Sequence, residues 1–121
     1  MSVPLAALPK HLHAAAIDAA FYYANTEAAR PGGSGLPRTE VTLDQATIEL
    51  SKAAMKALGG IASYQAGAFV PVNSQAFTEE VSELQTYMGE KGLQSIRVVL
   101  DAQDMPATSV IQRAVEQALF F

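Results

Sequence analysis

A chain of 121 residues with no cysteine and a net charge of −4 excludes several kinds of protein at the outset. Without cysteine there are no structural disulfides, thiolate metal sites or cysteine nucleophiles. Eight basic residues against twelve acidic ones form no basic stripe for a phosphate backbone, so we expect no nucleic-acid partner. The apolar fraction of 50% is typical of a packed globular chain, and we expect a single domain over residues 1–121.

The balance of residue types favours helix over sheet. Alanine occurs 22 times, whereas Val, Ile and Thr together occur 21 times. Alanine loses no side-chain entropy in a helix, while β-branched residues do. The composition therefore predicts a mostly α fold.

Residues 9–30 are predicted to form a central helix. Its stretch 12–24 is apolar nearly all round, with His13 and Asp18 as the clearly polar residues. Such a helix must be enclosed by the other helices of its own fold or by a neighbouring chain. The polar end of the helix, residues 25–27, is expected to reach solvent.

Neither the first residues nor this apolar stretch predicts a membrane or secretory segment. The N-terminus lacks the basic start and strongly apolar core of a classical signal peptide. The stretch 12–24 is too short to span a bilayer and contains Asp18. We therefore expect a soluble protein without a membrane span, either cytoplasmic or virion-associated.

Residues 31–37, Pro-Gly-Gly-Ser-Gly-Leu-Pro, predict a flexible Gly-rich loop. A phosphate-binding loop needs a strand before it and a helix directly after it, and neither is predicted here. The spacing Thr42-x-x-Gln45 then indicates a capping box that opens a second helix, which Gly59-Gly60 ends. The apolar side of this helix is expected to contain Leu43, Ala46, Leu50, Ala54, Ala57 and Leu58.

A third helix is predicted over residues 75–88, with Asn73 or Ser74 as its cap. Its buried face is expected to contain Phe77, Val81, Leu84 and Met88. Three acidic residues suit the positive end of the helix dipole, namely Glu79, Glu80 and Glu83. Residues 89–92 are interpreted as a break.

Two stretches read as possible strands. Residues 69–72 look extended and suit an edge strand, because proline removes a ladder donor. In residues 95–101, alternate apolar residues are typical of a strand, whereas Arg97 and Asp101 would form an i,i+4 pair on a helix. Because of that pair, we favour a helix over residues 95–101.

Ser109-x-x-Gln112 has capping-box spacing and begins a last amphipathic pattern. Together these patterns predict a compact bundle of four to five helices around the alanine-rich central helix. The alternative is an α+β fold, in which residues 69–72 and 95–101 contribute to a small sheet.

The residues that could carry out chemistry are each explained more simply by a structural role than by a functional one. We therefore expect no catalytic, cofactor-binding or metal-binding residue. His11 and His13 lie two apart on a helix, where they point to nearly opposite sides and cannot chelate one metal unaided. Ser63 lacks nucleophile-elbow spacing and a downstream histidine, so Ser63 and its neighbour Tyr64 are interpreted as loop residues. The carboxylates Asp101 and Asp104 fit an exposed salt-bridged face.

Aromatic residues are the more informative group. Three consecutive aromatic residues, Phe21, Tyr22 and Tyr23, point to different sides of the helix. At least one of the three rings must therefore lie outside the core unless the helix is central. Phe120 and Phe121 place two large apolar rings at the end of the chain, where they would pack on their own fold or on another subunit. We therefore predict these five aromatic residues as candidate interface residues.

These observations favour a non-enzymatic protein–protein interaction or assembly protein that self-associates into a homo-oligomer. Small acidic chains without cysteine or a motif occur among bacteriophage structural and accessory proteins. The alternative is a small-molecule binder with a pocket between the alanine-lined helices, where Tyr22, Tyr23 or Tyr64 supplies a polar group. An enzyme would require His11, His13 and nearby acids to converge.

Overall fold

The computed structural model describes residues 2–29, 39–60, 62–65, 68–71 and 73–100. The elements in chain order are β1 (Ser2–Pro4), α1 (His13–Ala29), β2 (Glu40–Leu43), α2 (Gln45–Leu58), β3 (Ala62–Gln65), β4 (Ala68–Pro71), α3 (Ser74–Lys91) and β5 (Ser95–Val99). Two short 3-10 turns, Leu5–Ala7 and Lys10–Leu12, join β1 to α1. This part of the chain is mostly helical, with three α-helices beside a small three-stranded sheet.

The predicted bundle of four to five helices is not what the described ranges contain. They hold three α-helices, and the last predicted helix, which begins near Ser109, lies outside them. The predicted Gly-rich loop at 31–37 also lies outside the described residues. None of the helices in the described ranges has the length and apolarity that crossing a bilayer requires.

The three-stranded sheet has the order β1-β5-β2, so β5 is its central strand. β1 runs parallel to β5, and β2 runs antiparallel to it with Val41 opposite Val98. Ile96 and Val98 are fully buried, whereas the alternate residues Arg97 and Val99 are exposed. The residues therefore form a strand, and our preference for helix was wrong over residues 95–99, while Asp101 lies outside the described residues. Burying two β-branched side chains outweighs one i,i+4 pair worth a few tenths of a kcal/mol.

β3 and β4 form a separate antiparallel hairpin, in which Ala62 lies opposite Pro71. The predicted extended stretch near residues 69–72 is therefore a strand, although it pairs with β3 and not with β5. β3 packs against α1, which places the hairpin against the helical core. The interpretation of Ser63 and Tyr64 as loop residues was wrong, because both lie within β3.

α1 is central, as its composition predicts. It packs against α2, α3, β2, β3 and β5. The chain's own elements bury most of its residues, namely Ala15, Ala16, Asp18, Ala19, Ala20, Phe21, Tyr22, Ala24, Asn25 and Thr26. Alanine lets neighbouring backbones approach the helix closely, so one helix can contact this many elements.

Contrary to our prediction, two residues of the polar end of α1 do not reach solvent. Asn25 and Thr26 are both buried. The Asn25 Nδ2 donates to the Phe21 carbonyl oxygen at 2.9 Å, and the Thr26 Oγ1 donates to the Tyr22 carbonyl oxygen at 2.8 Å. These bonds to the preceding helical turn satisfy side-chain donors that would otherwise be costly to bury.

α2 begins one residue after its cap, which is Asp44 and not Thr42. The Asp44 carboxylate accepts from the Thr47 backbone N–H at 2.8 Å, whereas Thr42 lies in β2. Gly59 ends the helix in the left-handed conformation at φ 69°, as predicted. A side-chain cap of this kind contributes about 1 kcal/mol.

The buried face of α2 also differs from the predicted one. The buried residues are Thr47, Ile48, Ser51, Ala54 and Met55. Of the predicted set, Ala54 in α2 and Leu43 in β2 are buried, whereas Ala46 and Ala57 are exposed. Alanine is compatible with either environment, so its positions mark the buried side of a helix poorly.

α3 confirms the predicted cap and buried face. The Asn73 side chain accepts from the Gln75 backbone N–H at 2.8 Å. Its fully buried residues are Phe77, Val81, Leu84 and Met88. Gly89 does not break the helix, which continues to Lys91 and ends at Gly92 with φ 65°. A helix tolerates an interior glycine at about 1 kcal/mol relative to alanine, so the presence of Gly89 was not sufficient to predict a helix end at that position.

Candidate functional site

The aromatic residues of α1 form part of the chain's own core. Phe21 and Tyr22 are fully buried, and their ring centroids lie 5.7 Å apart at 79°. Tyr22 also contacts Phe77 of α3, with ring centroids 5.3 Å apart at 77°. Such edge-to-face pairs are worth about 0.5–1.5 kcal/mol beyond their buried area. Packing within one chain therefore accounts for the burial of both rings.

The remaining predicted interface residues differ from these two. Tyr23 is half-buried and packs against the edge of the core. Phe120 and Phe121 lie outside the described residues. Of the predicted interface residues that the structure describes, Tyr23 is thus the one with exposed area.

His11 and His13 make contacts with different groups. The His13 Nε2 lies 2.9 Å from the Leu8 carbonyl oxygen, which can only accept, so this nitrogen carries a proton. The His11 Nε2 lies 3.4 Å from the Glu83 Oε1, and both side chains are largely exposed. The structure does not bring the two imidazoles to one shared partner. Within the described ranges, no three His, Asp or Glu side chains are grouped to hold a metal ion.

Ser51 is a buried polar residue that the sequence patterns missed. Its Oγ lies 2.7 Å from the Ala19 carbonyl oxygen of α1 and 3.0 Å from the Thr47 carbonyl oxygen of its own helix. The hydroxyl thus connects α2 to α1 where both helices are fully buried. No sequence signal distinguishes this serine from an exposed one, because the contact depends on how the helices pack.

A polar network joins the exposed sides of α2 and α3. The Lys52 Nζ donates to the Gln85 Oε1 at 2.8 Å. The Gln85 Nε2 donates to the Glu49 Oε1 at 2.8 Å and to the Gln45 Oε1 at 3.1 Å. The Gln85 amide, followed by the charge of Lys52, lowers the pKa of Glu49. The network therefore links α2 to α3 through four side chains.

A surface cavity of about 340 Å³ lies between the end of α2 and the start of α3. The five residues that line it are of polar types, namely Lys56, Ser74, Gln75, Thr78 and Glu79. The N-terminal amides of α3 here already donate to Asn73, and Glu79 would repel an anion. This cavity differs from the predicted apolar pocket between alanine-lined helices.

The three-stranded sheet has two unlike sides. Val41, Leu43, Ile96 and Val98 point into the core. The other side, which we call the outward face, consists of Glu40, Thr42, Ser95, Arg97 and Val99. Among the residues whose side-chain exposure the structure describes, Val99 is the one exposed large hydrophobic side chain, at 67%. The Arg97 Nε lies 3.9 Å from the Glu40 Oε1, so one base and one acid flank the centre of this face.

The strand β2 lies at one edge of this sheet within the described part of the chain. An edge strand presents backbone donors and acceptors that can pair with a further strand. We call the side of β2 that faces away from β5 the β2 edge. The sequence patterns do not identify β2 as an edge strand, because that depends on which strands pair.

Comparison with known proteins gives no relative from which a function could be transferred. No family model matches the chain, and neither a curated protein nor a solved structure matches it significantly. The candidate site therefore rests on the geometry of the outward face and the β2 edge. The other sequence candidates, Asp101 and Asp104, lie outside the described residues.

Proposed function

We propose that this protein is a non-enzymatic interaction or assembly protein that associates with further copies of itself. The observation that carries the proposal is the outward face of the three-stranded sheet, with Val99 exposed and β2 at the edge of the sheet as far as the chain is described. A β-sheet with one solvent-exposed side and a short unpaired edge offers both apolar contact and main-chain hydrogen bonds to a partner.

The burial of α1 changes which part of the chain supports this proposal. The sequence suggested that the apolar helix could be closed by a neighbouring copy. Because the chain's own elements enclose Phe21 and Tyr22, their rings need no second copy to leave water. Support for self-association therefore comes from the sheet, with Tyr23 as a further half-exposed ring.

An assembly role is compatible with a structural or accessory protein of a bacteriophage, in the cytoplasm or in a virion. Composition supports this part of the proposal, since small acidic chains without cysteine occur among such proteins. The predicted helix that begins near Ser109 would add a fourth helix to the fold. The interface proposed for Phe120 and Phe121 would require that segment to contact another copy.

Light scattering after gel filtration tests the proposal directly. We expect the purified chain to show an absolute mass above 12.8 kDa that rises with protein concentration. A mass of 12.8 kDa at every concentration would contradict self-association. In that case the outward face would have to serve a different partner, and co-purification from the native source would be the next measurement.

A further inference from the structure

We propose that two copies of this chain pair through the β2 edge, antiparallel, so that their three-stranded sheets join across a two-fold axis. The inference rests on the proposed function and names the surface that self-association uses. The occupant of the edge is a second copy of the same strand. Such an interface is isologous, since the same surface is used by both subunits.

The hydrogen bonds within the sheet determine which backbone groups face the β2 edge. The Leu100 N–H donates to the Thr39 carbonyl oxygen, so these two residues form a hydrogen-bonded pair. Because such pairs alternate along an antiparallel ladder, Val41 and Leu43 bond to β5. Glu40 and Thr42 then direct their N–H and C=O groups away from β5.

The contact between β2 and α2 agrees with this direction. The Thr47 Oγ1 lies 3.4 Å from the Thr42 carbonyl oxygen, on the side away from β5. That hydroxyl is also 2.9 Å from the Asp44 Oδ1, which is the better placed acceptor. A carbonyl oxygen has two lone pairs, so the Thr42 carbonyl can still accept a bond from another chain.

Charge complementarity selects the register of the paired strands. If the two-fold axis passes at Val41, Glu40 lies opposite the partner's Thr42, and each such pair exchanges both of its hydrogen bonds. If the axis passes at Thr42, Glu40 lies opposite the partner's Asp44, and two carboxylates face each other. Like charges directly opposite one another are destabilising in a sheet. The register centred on Val41 is therefore the favoured one.

This register also places opposite charges on one row of the joined outward face. Thr42 lies opposite Arg97 of its own chain. The partner's Glu40 follows on the other side of Thr42, so the row reads Arg97, Thr42 and the partner's Glu40. A charge at a sheet edge often prevents pairing. In this register Glu40 lies opposite the neutral Thr42 of the other copy, with Arg97 of that copy beyond it. The charge of Glu40 therefore does not oppose pairing.

The size of the contact predicts its strength. β2 has four residues, so the main-chain contact is short. Interfaces below roughly 1,200 Å² are typical of weak and transient complexes. We therefore expect association that depends on protein concentration.

The variant Thr42→Glu tests the proposed register. Within one chain, the new carboxylate lies opposite Arg97 and is compatible with folding, but between copies it faces the partner's Glu40. We expect the dissociation constant, measured by sedimentation equilibrium, to rise about tenfold from two repulsive cross-strand pairs. The matched control is Thr78→Glu, which adds the same charge at an exposed position of α3 and is expected to leave association unchanged.

Two further variants keep the test independent of how well Thr42→Glu folds. The double variant Glu40→Lys with Thr42→Glu restores opposite charges between copies and is expected to recover association. Thr42→Pro removes a backbone N–H that points away from β5, so no hydrogen bond to β5 is lost. Edge strands tolerate proline at such a position, and we expect this variant to be monomeric. Circular dichroism of each variant verifies that the helices are intact.

The outcomes separate this inference from the proposed function. If the unchanged chain associates and both Thr42→Glu and Thr42→Pro associate equally well, self-association stands and the β2 edge is excluded as its surface. If the unchanged chain is monomeric at every concentration, the proposed function and this inference are both overturned.

Discussion

The hydroxyl of Ser51 joins α2 to α1 in the middle of the core. The variant Ser51→Ala removes the bond to the Ala19 carbonyl oxygen without changing the apolar contacts of the site. We expect it to lower the free energy of unfolding by about 1 kcal/mol, the usual net contribution of a hydrogen bond. Urea denaturation measures this as a lower midpoint with an unchanged slope.

Thr86→Ala is the matched control for Ser51→Ala. The Thr86 hydroxyl bonds to the Ser82 carbonyl oxygen at 3.0 Å within α3, on the exposed side of the helix. We expect its removal to change the free energy of unfolding by less than about 0.5 kcal/mol. Equal midpoints for the two variants would show that the contact between helices contributes nothing.

Asp44 gives one end of α2 a defined pH dependence. The Thr47 backbone N–H, followed by the Thr47 hydroxyl, lowers the pKa of the Asp44 carboxyl below its ordinary value of 3.8. Because the pKa is lower in the folded state, the stabilisation is complete above pH 3.8 and is lost as the pH falls through the folded-state value. Asp44→Asn keeps the capping oxygen but does not titrate.

We therefore expect the unchanged chain to lose more stability than Asp44→Asn when the pH falls from about 5 to about 2. Near neutral pH the two proteins should differ little, since Asp and Asn are similar caps. Urea midpoints measured across this pH range give the difference directly. Parallel pH profiles would contradict the role of Asp44.

At the scale of the helix, the two glycines near the end of α3 have opposite roles. Gly89 lies within the helix, whereas Gly92 has φ 65° and ends it. Nothing lies within 4 Å of a Cβ added at either position, so backbone conformation decides the effect. We expect Gly89→Ala to stabilise the protein by about 0.5–1 kcal/mol. Gly92→Ala should destabilise it by about 1–2 kcal/mol.

Thermal unfolding of these two variants provides an internal control, because both make the same chemical change in the same helix. The melting temperature should rise for Gly89→Ala and fall for Gly92→Ala. A shift in the same direction for both would mean that α3 does not end at Gly92 in solution.

At the scale of the whole molecule, α1 is the element that contacts both the other helices and the strands. It contacts α2 and α3 as well as strands of both sheets, and most of its apolar residues are buried, while Tyr23 stays half-exposed. This arrangement separates folding from association. Phe21 and Tyr22 stabilise one chain, whereas the proposed contact between copies uses β2 and the exposed residues of the outward face.

The sequence by itself determined the elements whose signals are local. The apolar stretch of α1, the buried face of α3 and the capping residues Asn73 and Gly59 all follow from side-chain periodicity or backbone conformation within a few residues. These features could be predicted because their causes lie next to them in the chain.

Only the tertiary structure decided the features that depend on distant partners. Ile96 and Val98 form a strand because Val41 and Leu43, far away in the chain, pair beside them. Ser51 is buried because α2 packs with that face on α1. The outward face and the β2 edge have the same origin, since strand pairing decides which residues remain exposed. No local pattern contains that information, because a residue's burial is set by the elements that pack against it.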